Sequence, residues 1–92
     1  MKTRKKTLDD LRRAIDAIDS ELVRLLNRRA SAAVRIGREK RRQGAAILDP
    51  ARERKILARV KRLNRGPLGH AALAGVFGRV MKACRDLQKR RQ

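Results

Sequence analysis

The chain has 92 residues and a formal net charge of +18, from 27 Lys and Arg against 9 Asp and Glu. One cysteine excludes an internal disulfide, and no apolar run is long enough for a membrane span. The basic start leads into the amphipathic stretch 7–10, so the apolar core of a secretory signal is missing. We therefore expect a single cytoplasmic domain whose cysteine is a free thiol. The spacing of Cys84 and His70 predicts no metal site.

A long first helix is predicted from Leu8 to about Arg42. Thr7 is the expected N-cap, because acidic residues follow it in the first turn, where they suit the helix dipole. Gln43-Gly44 is the first stop signal. Apolar residues recur along this helix at intervals of three and four, at Leu8, Leu11, Ile15, Ile18, Leu22, Leu25, Ala32 and Ile36.

Two shorter helices follow the first. Asp49-Pro50 predicts the start of the second helix, with Asp as N-cap and Pro at the first helical position, and Gly66-Pro67 stops it. The third helix is predicted from about His70 to Lys89. The predicted inward residues are Ile56, Leu57, Val60 and Leu63 on the second helix and Leu73, Val76, Phe77, Val80, Met81, Cys84 and Leu87 on the third.

The predicted fold class is all-α, with a helical domain at 8–89 between basic tails at 1–7 and 90–92. A first helix of this length spans roughly 50 Å, which the two shorter helices cannot cover. A second copy of the chain is the expected cover for the exposed part of its apolar stripe. The alternative is a monomeric helical hairpin whose long helix frays.

Polar side chains interrupt the inward face of each helix. Arg29 and Lys40 lie on the stripe of the first helix, where two cations could hold a small anion between them. Glu53 shares the inward face of the second helix, and Gln88 continues that of the third. Each also has an ordinary explanation, since a long cation reaches water, an acid stabilises a helix start, and an amide can be solvated.

The ordered set of motifs resembles the all-α class of chorismate mutase. The resemblance covers nearly the whole chain and rests on LRRAIDAID at 11–19, LLNRR at 25–29, IGREK at 36–40 and DPARER at 49–54, with Phe77, Met81, Cys84 and Gln88 on the third helix. It implies an isomerase of the shikimate pathway that converts chorismate to prephenate without a cofactor or metal. It also implies an intertwined homodimer with two active sites.

The resemblance implies that four cations bind the substrate's negative charges. Arg12 would be donated to the partner's site, and Arg29 would bind a carboxylate within its own chain. Lys40 would bind a carboxylate and the ether oxygen, and Arg52 would support the grip on the anion.

The resemblance gives the remaining polar residues different roles. Asp49 and Glu53 would receive the substrate hydroxyl, and Gln88 would donate to the ether oxygen. The position of Cys84 is usually serine in this family, and a thiol is the weaker hydrogen-bond donor. The fold tolerates that departure, whereas the contact of Cys84 with a carboxylate is weakened.

Two alternatives stay open at this point. An isochorismate-pyruvate lyase of the same fold would keep the arginines, the lysine and the glutamine, but such relatives lack the Arg52-Glu53 pair after the proline. A basic helical nucleic-acid-binding protein would explain the net charge. Against it, Phe77 is the one aromatic residue and is predicted to be core, and the basic residues spread over all three helices, so no specific nucleic-acid partner is expected.

Overall fold

The computed structural model describes residues 6–90 and contains three helices, α1 (Leu8–Gln43), α2 (Pro50–Leu63) and α3 (His70–Arg90). The predicted all-α class, with one long and two shorter helices, is confirmed, and the described residues form no strand. No helix within them is long and apolar enough to cross a bilayer. The predicted tails at 1–7 and 90–92 fall mostly outside the described residues.

The ends of α1 are fixed by the residues that the sequence indicated. Thr7 and Asp10 form a capping box, in which the Thr7 hydroxyl accepts from the Asp10 amide at 3.1 Å and the Asp10 carboxylate accepts from the Thr7 amide at 3.0 Å. At the other end Gly44 is left-handed, with a φ of 69°, and its amide donates to the Arg41 carbonyl. Both predicted ends of α1 are therefore correct to within one residue.

The start of α2 also has the predicted cap. The Asp49 carboxylate accepts from the Arg52 amide at 3.1 Å, and Pro50 occupies the first turn. After α2, Asn64 organises the turn into α3, since its Oδ1 accepts from the Gly66 amide at 2.9 Å and its Nδ2 donates to the Leu68 carbonyl at 2.9 Å. The short connection brings α3 back against α2.

Helix α3 holds the chain together because it packs against both other helices. Within residues 6–90, α1 and α2 make no comparable contact with each other. The buried residues lie in the second halves of α1 and α3 and are Ala33, Gly37, Met81, Cys84 and Gln88. The core is therefore small and includes one polar side chain.

The first half of α1 projects beyond this core with its apolar stripe uncovered. Leu11, Ile15, Ile18 and Leu22 are each at least half exposed in the single chain. The radius of gyration is 17.7 Å, whereas a compact domain of this length would have about 12 Å. The shorter helices thus leave the long helix without cover, as its length predicted.

Two residues that were predicted to face inward are exposed in the single chain, so the prediction is wrong for them. Val76 is 54% exposed and Leu63 is 61% exposed. At 100° per residue, Val76 is turned about 80° away from Cys84, so it misses the face of α3 that packs on α1. Leu63 is the last residue of α2, where the chain already turns toward α3.

Candidate active site

A cleft of about 260 Å³ lies where the three helices converge. Seven of the eight predicted site residues line it, namely Arg29, Lys40, Asp49, Arg52, Glu53, Cys84 and Gln88. Its apolar lining comes from Ala32, Ala33, Ile36, Ile47, Ile56 and Met81. The volume lies just below the range for small-molecule sites, which begins at about 300 Å³. The cleft therefore suits a small ligand.

The two cations of α1 enter this cleft with neutral partners. Arg29 is half-buried, and its Nη1 donates to the Sγ of Cys84 at 3.4 Å. Lys40 is half-buried, and its Nζ donates to the carbonyl of Ile47 at 2.8 Å. An ammonium group has three donors, so Lys40 keeps two for a ligand. These contacts orient both cations without neutralising their charge.

Gln88 is buried, with 6% of its surface exposed, and is bound to the backbone of α1. Its Nε2 donates to the carbonyl of Ala33 at 2.8 Å. Because a carbonyl oxygen can only accept, this bond places the nitrogen of the amide, rather than its oxygen, at the Ala33 carbonyl. The second N–H of Nε2 is left for a group in the cleft.

The acidic residues of the site come from the start of α2. Asp49 uses Oδ1 to cap the helix, which leaves Oδ2 for another donor. Glu53 is half-buried, and its Oε2 accepts from the Nη1 of Arg85, with which it forms an ion pair from α2 to α3. Arg52 is exposed on the first turn of the same helix and lines the cleft.

Sequence reasoning missed Arg85, which also lines the cleft. The signal that could have found it is the spacing of Met81, Cys84, Arg85 and Gln88, because intervals of three and four place all four side chains on one helix face. With Arg85 included, four cationic and two acidic side chains line the cleft, a formal excess of two positive charges.

Arg12 does not line the cleft of its own chain. It precedes Arg29 on the same helix by 17 residues, which is roughly 25 Å along the axis. The side chain is exposed. A role for Arg12 in catalysis therefore requires the cleft of another chain.

The sequence matches the chorismate mutase type II family over residues 11–89. It is 40% identical over 87 residues to the bifunctional chorismate mutase/prephenate dehydratase of Aquifex aeolicus, covering 90% of this chain and 24% of that protein. A second such bifunctional protein, from Neisseria gonorrhoeae, is 41% identical over 91% of this chain and 24% of its own length. The chain thus spans about a quarter of the length of these curated relatives.

Shorter relatives match a larger share of their own length. The intracellular chorismate mutase of Mycobacterium tuberculosis is 34% identical over 68% of this chain and 73% of that protein. Form II of the chorismate mutase of Thermus thermophilus has a TM-score of 0.91 at 31% identity, and the match covers 95% of this chain and 99% of that one. The chain therefore belongs to the chorismate mutase type II family, as its motifs predicted.

Proposed function

We propose that this chain converts chorismate to prephenate. The proposal rests on the cleft. Residues of all three helices place an excess of two positive charges there, around a small apolar volume. Chorismate carries two carboxylates, so its charge balances that excess. Membership of the chorismate mutase type II family supports this reaction over nucleic-acid binding.

The reaction is an intramolecular rearrangement in which the ether C–O bond breaks as a new C–C bond forms. The electrons move around one ring of six atoms, so no proton, electron or group is exchanged with the protein. An enzyme can accelerate such a step by holding the substrate in its compact reactive conformation and by stabilising charge that develops at the ether oxygen.

Cations on different helices would hold the two carboxylates. Arg29 and Lys40 approach from α1, and Arg52 approaches from the first turn of α2. Guanidinium groups bind carboxylates through two parallel hydrogen bonds, which fixes direction as well as distance. Two carboxylates gripped from two helices would bring the ends of the substrate together.

Lys40 and Gln88 would stabilise the negative charge that develops on the ether oxygen as its C–O bond breaks. The Ile47 carbonyl holds the Lys40 ammonium, and the Ala33 carbonyl holds the Gln88 amide, so both donors are oriented before substrate arrives. Each preorganised donor to an oxygen that gains negative charge is worth about 3 kcal/mol, by analogy with an oxyanion hole. Glu53 and Asp49 would accept the substrate hydroxyl through the oxygens that they keep free.

The active form is proposed to be a homodimer in which Arg12 of each chain completes the site of the other. The uncovered apolar stripe of α1 supports this assembly, since Leu11, Ile15 and Ile18 need a partner surface. Light scattering at micromolar concentration should give twice the chain mass of 10.5 kDa. We place the protein in the cytoplasm, because a free thiol at Cys84 suits a reducing compartment.

The deciding experiment measures the loss of chorismate absorbance and the appearance of prephenate with purified protein. The chain has one Phe and no Trp or Tyr, so the protein hardly contributes to the absorbance. Isochorismate is assayed in parallel, with pyruvate as the product that would indicate the lyase. We expect turnover of chorismate and none of isochorismate. If pyruvate were released from isochorismate faster than chorismate is converted, the lyase would be the better assignment.

A further inference from the structure

Arg85 and Glu53 form an ion pair at the cleft, but the proposed reaction gives Arg85 no role. We propose that Arg85 is a positioning residue, which holds the Glu53 carboxylate in place and offsets its charge so that a dianion can enter the cleft. This inference rests on the proposed function. It adds to that function a residue that never contacts the reacting atoms.

The location of this pair distinguishes it from the other ion pairs described in the structure. Each of those pairs joins residues three or four positions apart in one helix, namely Arg13–Asp10, Arg24–Glu21, Arg42–Glu39 and Lys82–Asp86. Arg85 and Glu53 lie 32 positions apart on different helices, and their side chains are 25% and 26% exposed. Partial burial weakens solvent screening, so the charge of each partner matters more to its neighbours.

The pair also fixes which oxygen of Glu53 is available. Arg85 binds Oε2, so the carboxylate cannot rotate freely and Oε1 remains as the acceptor. A substrate hydroxyl would then meet a carboxylate that is already oriented. Without Arg85, the carboxylate would have to be ordered when the substrate binds, which lowers affinity.

The charge of Arg85 matters in addition to its geometry. Loss of Arg85 would remove one positive charge from the cleft and leave the Glu53 carboxylate without its partner beside a dianion. Loss of both charges together would leave the net charge of the cleft as it is in the parent. Because the unpaired Glu53 carboxylate would repel the dianion, the affinity for chorismate should depend strongly on Arg85 when Glu53 is charged, and much less when position 53 is neutral.

The test compares Arg85→Met, Glu53→Gln and the double variant in the full-length protein with chorismate as substrate. Arg85→Met should raise KM about tenfold and lower kcat less, because the lost interaction acts mainly on binding a dianion. In the Glu53→Gln background the same change should alter KM less than about twofold. Arg85→Lys keeps the charge but not the fork geometry, so KM should lie between those of the parent and Arg85→Met.

Arg79→Met is the matched control. Arg79 is an exposed cation of α3 that does not line the cleft. Arg79→Met therefore removes the same charge from the same helix as Arg85→Met, and it should leave KM unchanged. Circular dichroism and thermal melting check the fold of every variant. If Arg85→Met does not fold, Arg85→Lys takes its place, alone and combined with Glu53→Gln, and its effect on KM should again vanish in the combination.

Three outcomes would overturn the inference. An unchanged KM in Arg85→Met would show that the ion pair of Arg85 only stabilises the packing of α2 against α3. An equal rise in KM with and without the Glu53 charge would show that Arg85 binds the substrate directly. A parent protein that does not turn over chorismate would refute the proposed function and this inference with it, whereas the first two outcomes leave the proposed function intact.

Discussion

Gln88 lies so close to Gly37 that α1 has no room there for a side chain. A Cβ atom on Gly37 would come within 2.9 Å of the Gln88 Cγ and 3.0 Å of its Cβ. One turn earlier on the same helix, the Ala33 carbonyl accepts the bond from the Gln88 amide. The bare surface at Gly37 is thus what lets Gln88 reach the backbone of α1.

Gly37→Ala should lower kcat about tenfold, because the new methyl group would push Gln88 off the Ala33 carbonyl and misplace its donor. The steric cost of about 1–3 kcal/mol is partly offset by the better helix propensity of alanine, about 1 kcal/mol. The loss of activity should therefore exceed what the change in melting temperature suggests. Steady-state kinetics and thermal melting of the same samples measure both.

Gly75→Ala provides the comparison for this effect. Gly75 is a helical glycine of α3, and a Cβ atom there would meet nothing within 4 Å. This variant should be slightly more stable than the parent and equally active. In a Gln88→Ala background, Gly37→Ala should cost no further activity, and a further large loss would show that Gly37 does not act through Gln88.

Gln88→Glu should make activity depend on pH, with better catalysis in acid. An ionised glutamate has no proton to donate, and it would face both the Ala33 carbonyl and the ether oxygen. Glutamate ordinarily has a pKa of about 4.3. Burial should raise this pKa in the free enzyme, which governs kcat/KM, and a bound dianion should raise it further in the complex, which governs kcat. The protonated form prevails below that pKa, so kcat/KM should rise as pH falls from about 8 to about 4.5.

The structure also limits how far acid can restore Gln88→Glu. A protonated carboxyl has one donor, whereas the parent amide has two, one bound to the Ala33 carbonyl and one left for the proposed contact with the substrate. The variant should therefore stay below parental kcat/KM even at its best pH. Parental activity of the variant at about pH 8, where the glutamate is ionised, would show that position 88 does not face the reacting oxygen.

Arg12→Ala and Arg29→Ala should each be nearly inactive but should complement one another. If Arg12 serves the second chain's site, a mixed dimer has one site with both lesions and one with neither. Random reassortment makes half of the dimers mixed, so about a quarter of parental activity should return. The measurement is the activity of an unfolded and refolded mixture against each variant treated alone. Absence of recovery, with mixed dimers shown to form, would show that Arg12 acts within its own chain or not at all.

Cys84→Ser should raise kcat/KM about two- to tenfold, since a hydroxyl donates to a carboxylate and accepts from Arg29 better than a thiol does. Cys84 is 7% exposed, and Arg29 already supplies a polar partner, so the hydroxyl would not be buried alone. Cys84→Ala keeps the packing and removes the polar contact, so it should not exceed the parent. Equal activities of the serine and alanine variants would show that position 84 only packs.

The ends of the helices were predictable because their signals are local. Thr7, Gly44, Asp49 and Gly66 each determine a cap or a turn through bonds to residues two to four positions away. The polar residues of the site were detectable for a related reason. Arg29 and Gln88 stand out because each interrupts an apolar stripe whose period the sequence shows.

Arg85 could not be identified in the same way. In a chain with 27 basic residues, the spacing that places Arg85 on one face with Met81, Cys84 and Gln88 does not separate a site arginine from a solvated one. Its partner Glu53 is 32 positions away, and the distance between them depends on how α2 and α3 pack. The exposure of Val76 was missed for a different reason. Its angle of about 80° from Cys84 follows from the spacing, but only the packing of α3 shows that the covered face is too narrow to include it.

The missing contact between α1 and α2 has a consequence for the heat stability of the protein. Within one chain, across the part that the structure describes, only α3 joins them, and the cleft occupies the space where they would otherwise meet. A dianion bound to Lys40 on α1 and Arg52 on α2 would supply that missing bridge. Chorismate or a stable mimic should then raise the unfolding temperature, by an amount that grows with the logarithm of its concentration. The chain would be most resistant to heat while its cleft is occupied and would lose that resistance each time product leaves.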